Sequence, residues 1–284
     1  MLKADMVSEL DTLSLRDRLN QLKLSAADER WINGITAGQS GGSSSDGAFT
    51  ALAQWRSLAG WNTGVWYRAQ SKRVSTGMSS VVKGDSVEVV TASGQKFTAR
   101  TVVVAVPVNV WKTITFNPGL PSVHATATRQ GVGVANSRKL WLHVTGDRGE
   151  GRQRRGGRPL MTVLSHNETS TGQLLMALTT RPVINVTKRA EIEAALRTVL
   201  PVARLVDFRA QDWGADSYSM GGWALRRPGQ MSAQLPSIQQ PHGRLTFATS
   251  DIANGWVGFV EGALEAGFRA ASQAAAIAGV RNTV

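Results

Sequence analysis

The sequence predicts an α+β or α/β fold, and three observations carry that expectation. Helix-periodic stretches open and close the chain, the middle consists of short β-rich runs between turn residues, and Val102-Val103-Val104-Ala105-Val106 is apolar throughout, as a doubly buried strand is. From Leu13 to about Thr36 the pattern is helical: Leu15, Leu19 and Leu22 share a face, and Ser25 with Asp28 has the capping-box spacing for a second helix. The Gly/Ser stretch Gly38 to Gly47 reads as a loop, and Asp46 is placed to cap a helix through Phe49, Leu52, Trp55 and Leu58 to Gly60. Ser86 to Thr91 alternates, Ala92-Ser93-Gly94-Gln95 supplies a turn, and Lys96 to Pro107 returns through the valine run, a hairpin leading into a buried strand. A helix follows Pro121, then strands at Lys139 to Val144, Leu160 to Leu164 and Leu174 to Leu178. Helix Lys188 to Leu200 has Glu191 and Glu193 early and Arg197 late, as the helix dipole prefers. Strands Arg204 to Arg209 and Arg244 to Ala248 precede a long helix from about Gly258 to Ala278, whose Gly262, Ala263, Ala266, Gly267 and Ala270 would let a backbone or flat ligand approach closely.

Composition narrows the function classes. With 284 residues, 42% of them hydrophobic, the chain can bury a substantial core as one large domain or two ordinary ones. The absence of cysteine excludes disulfides, thiolate metal sites, cysteine nucleophiles and a cysteinyl cofactor link. His124, His143, His166 and His242 show no ligand spacing, which argues against a metal centre. No run of 18 apolar residues is present, and the start, Met1-Leu2-Lys3-Ala4-Asp5-Met6, carries charges where a signal peptide needs an apolar core. A cytoplasmic protein is therefore expected, with no membrane partner and no carboxyl-terminal peroxisomal tripeptide. A net charge of +12 favours polyanions, with Arg148, Arg152, Arg154, Arg155 and Arg158 as its densest cluster. No aromatic residues interleave there to stack bases, so a solvated loop is the expectation and nucleic acid is not.

The residues that carry chemistry lie toward the end. Gly243-Arg244-Leu245-Thr246-Phe247-Ala248-Thr249-Ser250-Asp251, then Gly255-Trp256, then Gly258-Phe259-Val260-Glu261-Gly262-Ala263-Leu264-Glu265-Ala266-Gly267, resemble the closing signature of flavin monoamine oxidases. The Ser-Asp and Gly-Trp forms look most like the fungal members. Upstream, Gly222-Trp223-Ala224 with Arg227-Pro228-Gly229 is similar to the segment that brings an aromatic residue to the flavin. The resemblance continues through Thr101 to Pro107 and Leu13 to Trp61.

The resemblance implies FAD-dependent oxidative deamination: hydride passes from an amine's α-carbon to flavin N5, the imine is hydrolysed, and oxygen regenerates the flavin with release of peroxide. With no cysteine, the FAD would be held non-covalently. A helix start near Gly258 points backbone N–H groups and a positive dipole end outward, suited to negative charge on a reduced flavin. By resemblance Ser250, Asp251 and Val260 line the flavin too, with Asp251 where most relatives have glutamate; capping of the last helix or its lead-in is the competing role for Asp251. Trp223 and Phe259 match the aromatic cage, whose facing rings would hold an amine by apolar contact and favour its neutral form. Lys139 lies on the strand that carries the family's flavin lysine, with Arg138 as its competitor for that place. Trp213 matches a tryptophan beside the flavin, and Met78 and Val106 match positions on the adenosine side.

Two departures stand out. The opening strand, glycine-rich turn and helix that cradle the FAD pyrophosphate are expected to be missing, since Gly131-Val132-Gly133-Val134-Ala135-Asn136 ends in asparagine and lacks a preceding strand. A shorter stretch also joins Trp61 to Met78. The expected organisation is an incomplete FAD-binding domain with a mixed-sheet substrate domain. Residues 1–75 form a helical segment of the substrate domain, 76–115 FAD-domain strands, 116–212 the substrate-binding domain, and 213–284 the cage segment and flavin-facing end. Partners implied are a small-molecule amine, oxygen, and a complementary flavin-domain chain or a second copy. Two alternatives stay open: a non-catalytic relic or subunit, and a serine hydrolase on Gly38-Gln39-Ser40-Gly41-Gly42, which satisfies GxSxG but sits in a loop between helices.

Overall fold

The computed structural model describes residues 4–64, 87–91, 93–133, 137–146, 154–155, 159–160, 162–180 and 184–280. Met78 and most of the arginine cluster lie outside them. The chain forms two compact units, one from Ala4–Thr50 with Val132–Gln230, the other from Ala51–Gly131 with Met231–Val284.

The first unit is built on a five-stranded sheet of β4 (Ser137–Thr145), β5 (Arg154–Arg155), β6 (Thr162–Thr169), β7 (Gly172–Thr180) and β8 (Arg204–Asp212), in the order β5-β6-β7-β4-β8. The mixed sheet expected here is antiparallel in every pairing among the described residues. A short link fixes one of these pairings: β6 and β7 are joined by a two-residue turn, which only antiparallel neighbours allow. Strand alternation then decides the core. Leu140, Leu142 and Val144 of β4 and Leu175 and Ala177 of β7 point to one face, against Ile192, Ala195, Leu196 and Leu200 of helix α6 (Arg189–Arg197) and its end.

Three helices precede the sheet in sequence: α1 (Ala4–Leu10), α2 (Leu15–Gln21) and α3 (Ala26–Ser40). Ser14 caps α2 in a full capping box with Asp17, and this hydrogen bonding holds the Asp17 carboxyl below its usual pKa. Leu15 and Leu19 are buried as expected, whereas Leu22 falls at the C-cap and is exposed. Ser25 caps α3, its hydroxyl accepting from Asp28 N–H. The Gly/Ser stretch departs from expectation, because α3 continues through Gly38 to Ser40 and ends only where Gly41 turns left-handed at φ 82°. Ser40, the serine of GxSxG, is buried in that last turn and donates to Thr36 O at 2.9 Å, so it sits on no strand-to-helix elbow.

The second unit contains α4 (Phe49–Leu58), the hairpin of β1 (Val87–Val90) and β2 (Lys96–Ala99), strands β3 (Val102–Val104) and β9 (Leu245–Phe247), and helices α5 (Ser122–Gln130), α7 (Gln230–Gln234) and α8 (Val260–Ala278). Asp46 lies in a turn before α4 and does not cap it; the Phe49 N–H is met by Leu13 O at 2.9 Å instead. Of the long valine run only Val102–Val104 is strand, with Val103 exposed on one face. It pairs in parallel with β9, matching Val104 to Phe247. Phe247 is fully buried under Trp111 and His124, with ring centroids 4.8 and 4.3 Å away. Helix α8 packs on these strands through Gly262, Ala266, Ala270 and Ala274. Their small side chains bring the helix axis close.

Candidate functional site

Both parallel strands run in the same direction and end together, β3 at Val104 and β9 at Phe247. In open parallel sheets the loops leaving such carboxyl ends form the ligand crevice. Those two loops carry six of the residues singled out in the sequence: Val106 after β3, and Ser250, Asp251, Gly258, Phe259 and Val260 after β9.

Asp251 ties the two loops together. Its Oδ2 accepts from Val108 N–H at 2.8 Å, at the start of the 3-10 turn Val108–Thr113, so it does not cap α8. Thr249 caps the 3-10 turn Ser250–Ile252, Ser250 O accepts from Gly258 N–H at 3.4 Å, and Val106 O accepts from Trp111 Nε1 at 3.0 Å. Helix α8 starts at Val260, two residues later than the sequence pattern gives. Gly258 stands before it at φ 81°, where lack of a Cβ allows a left-handed turn, and Phe259 is the N-cap in extended conformation. No side chain caps that first turn, so the positive end of a 19-residue helix opens beside the strand ends; Val260 is exposed there. The Phe259 ring meets Trp55 and Trp256 edge to face, with centroids 5.6 and 5.5 Å away.

The other three described residues belong to the sheet unit. Lys139 and Arg138, adjacent on β4, point to opposite faces, which separates them chemically. Arg138 is buried on the core side, its Nε 2.7 Å from Asp212 Oδ2 and its Nη1 donating to Ile184 O. Lys139 emerges on the other face with its ammonium over the Trp141 ring, 5.1 Å from the centroid. Trp213 is exposed and closes a turn, accepting at its carbonyl from Gly221 N–H and the Ser219 hydroxyl. Trp223 is half-buried and donates from its indole to Gln39 O at 3.0 Å. Phe259 lies in one unit and Trp223 in the other.

Sequence reasoning missed two local supports, one in each unit. Gly133 is no part of a nucleotide fingerprint; at φ 109° a Cβ there would lie 2.6 Å from Trp223 O, so the glycine lets the Trp223 segment pass. The second is the set of side chains that grip Asn254, described below. A Gly-x-Gly after a helix was visible, but nothing in the sequence said which backbone would approach it.

A family model described as flavin containing amine oxidoreductase matches residues 55–275. Among curated relatives, the chain is 27% identical over 92% of its length to a pseudooxynicotine dehydrogenase of Pseudomonas sp, of which it covers 58%. It is 32% identical to the (S)-6-hydroxynicotine oxidase of Paenarthrobacter nicotinovorans, over 64% of this chain and 43% of that one. The chain thus spans a little over half the length of the first curated relatives it matches. In fold it superposes on a cyclohexylamine oxidase from Brevibacterium oxydans with a TM-score of 0.71 at 19% identity, covering 96% of this chain and 68% of that one. A putrescine oxidase bound to putrescine gives 0.67 at 19%, covering 94% and 69%. No described helix is long and apolar enough to cross a membrane.

Proposed function

The chain belongs to the flavin containing amine oxidoreductase family, and from that premise we propose that it provides the flavin-facing and amine-binding part of an FAD-dependent amine oxidase. The gathering of Val106, Ser250, Asp251, Gly258, Phe259 and Val260 at the carboxyl ends of β3 and β9 is the observation that carries this reading. These residues suit an isoalloxazine ring: a glycine without Cβ for close approach, a helix start without a side-chain cap for developing negative charge, and an aromatic ring at the helix entry for the amine. When bound, the flavin supplies the hydride acceptor for amine oxidation, with imine hydrolysis and reoxidation by oxygen completing turnover. Phe259 would hold the amine by apolar contact and favour its neutral form by desolvation, because an ammonium has no electron pair to assist hydride loss; for Trp223 an amine-facing role is proposed on the resemblance of its segment alone. Lys139 would position a water for the reoxidation step, since its face of β4 lies away from the filled core.

No glycine-rich strand-to-helix turn for a pyrophosphate occurs among the described residues. We assign that role to a complementary flavin-domain segment, and FAD binding by this chain alone should be weak and lost as salt rises. The test is incubation with FAD and a panel of primary, secondary and nicotine-type amines, with and without a nucleotide-binding chain, following peroxide and reduction of an added dye. Amine-dependent turnover is expected once the nucleotide half is supplied. Silence across the panel in that complemented state, with a colourless protein, would favour a non-catalytic subunit.

A further inference from the structure

Seven residues, 253–259, join the 3-10 turn Ser250–Ile252 to α8, and side chains from three separate elements hold them. Asn254 is the centre. Its backbone N–H and side-chain amide donate to Glu265 Oε1 at 2.8 and 3.0 Å, its side-chain oxygen accepts from Gln239 Nε2 at 3.0 Å, and its carbonyl accepts from Gln54 Nε2. Glu265, one turn inside α8, uses its second oxygen for Gly255 N–H at 2.9 Å and has Arg269 Nη1 3.5 Å away. Gln239 also donates to Ile252 O at 2.7 Å, and Trp55 Nε1 donates to Val257 O at 3.0 Å. The first turn of α8 presses on the same loop, since a Cβ on Gly262 would lie 2.4 Å from Trp256 O. Trp256 itself is held at φ 48°, a left-handed conformation that an aromatic residue keeps only when its surroundings fix it.

We infer that Asn254 and Glu265 are positioning residues that fix the Trp55-Phe259-Trp256 ring cluster, and through it set how tightly an amine is held. A carboxylate gripping three N–H donors uses charge-assisted hydrogen bonds, stronger than neutral ones. It bonds backward from the helix onto Asn254 and Gly255, ahead of Phe259, so loosening it frees the ring while the hydrogen bond from Val108 N–H to Asp251 stays in place. The importance of Phe259 for the amine rests on the function proposed above, whereas the clamp itself does not.

The experiment therefore reads both. Glu265→Ala and Glu265→Gln are compared with the parent chain by amide hydrogen exchange and by near-ultraviolet circular dichroism of the ring cluster, neither of which needs flavin or amine. Exchange at Asn254 and Gly255 should rise on the order of tenfold or more in Glu265→Ala. Glu265→Gln, which keeps one acceptor, should fall between, and amides of Ala270–Ala278 should be unchanged. The aromatic dichroism should weaken in the same order. Unchanged exchange at 254–255, or an equal rise along all of α8, would overturn the clamp, and Glu265→Gln decides the matter if the alanine variant fails to fold. In the complemented enzyme, KM for an apolar amine should rise several-fold with a smaller fall in kcat. An unaltered KM despite a loosened loop would overturn the role in amine binding. Absence of turnover in the parent protein would instead count against the proposed function and leave the clamp to the exchange result.

Discussion

Replacing Gly262 by alanine puts a methyl group 2.4 Å from Trp256 O, 3.0 Å from its carbonyl carbon and 3.1 Å from Gly255 O. All three neighbours are backbone, so none can swing aside as a side-chain tip would. Nor can the loop retreat easily, because Glu265 and Trp55 hold it at Gly255 and Val257. Overpacking of this kind costs about 1–3 kcal/mol, against which the better helix propensity of alanine returns up to about 1 kcal/mol. The expected net effect is a loss of up to about 2 kcal/mol. Gly267, one and a half turns further along α8, is the internal control: a Cβ there meets nothing within 4 Å, so Gly267→Ala should stabilise by about 0.5–1 kcal/mol from propensity alone. The two substitutions are the same chemistry in the same helix with opposite signs. Urea unfolding followed by helical circular dichroism measures both, with unchanged m-values as the check that the transition is the same one. Equal midpoints for Gly262→Ala and Gly267→Ala would refute the reasoning, because they would mean that the close approach to Trp256 constrains nothing.

Four further outcomes are expected. His124 is buried between Trp111 and Phe247, and desolvation lowers its pKa from 6.5 to about 4, with His242 adding to the effect and the Ile238 backbone opposing it. The folded state thus resists protonation, so stability is full above about pH 6.5 and falls by up to about 3 kcal/mol as pH drops toward 4. His124→Phe should flatten that part of a stability-versus-pH curve, and an unchanged slope would exclude His124 as its source. Arg138→Ala leaves Asp212 partly buried without its 2.7 Å partner and should destabilise by about 2–3 kcal/mol in a thermal melt, while Lys139→Met should leave stability within about 0.5 kcal/mol and slow reoxidation of the reduced enzyme in stopped-flow mixing with oxygen. Any flavin bound to the chain should separate from it on acid precipitation, since no cysteine exists to hold it; colour retained in the pellet would demand another attachment.

Much of this protein is determined within the sequence. Capping at Ser14 and Ser25, the alternation of Leu140, Leu142 and Val144, and the small-residue spacing of the last helix are local patterns, and local hydrogen bonding and periodicity suffice to realise them. The closing motifs also drew attention to one stretch, Ser250 to Val260, which follows directly on β9. What the sequence could not decide is anything that depends on which distant backbone arrives next to a residue. Glycine disfavours helix, so the Gly/Ser stretch reads as a loop, yet α3 runs on to Ser40, whose hydroxyl is absorbed by its own helix at Thr36 O. Arg138 and Lys139 are neighbours in sequence and equivalent by charge; only the side of the sheet that α6 covers makes one a buried ion pair and sets the other on the opposite face, over the Trp141 ring. Asn254 has no periodic signature at all, because its partners Gln54, Gln239 and Glu265 converge from separate elements. The hydrogen bonds that shape the site link residues up to 202 positions apart, and only chain folding places such pairs together.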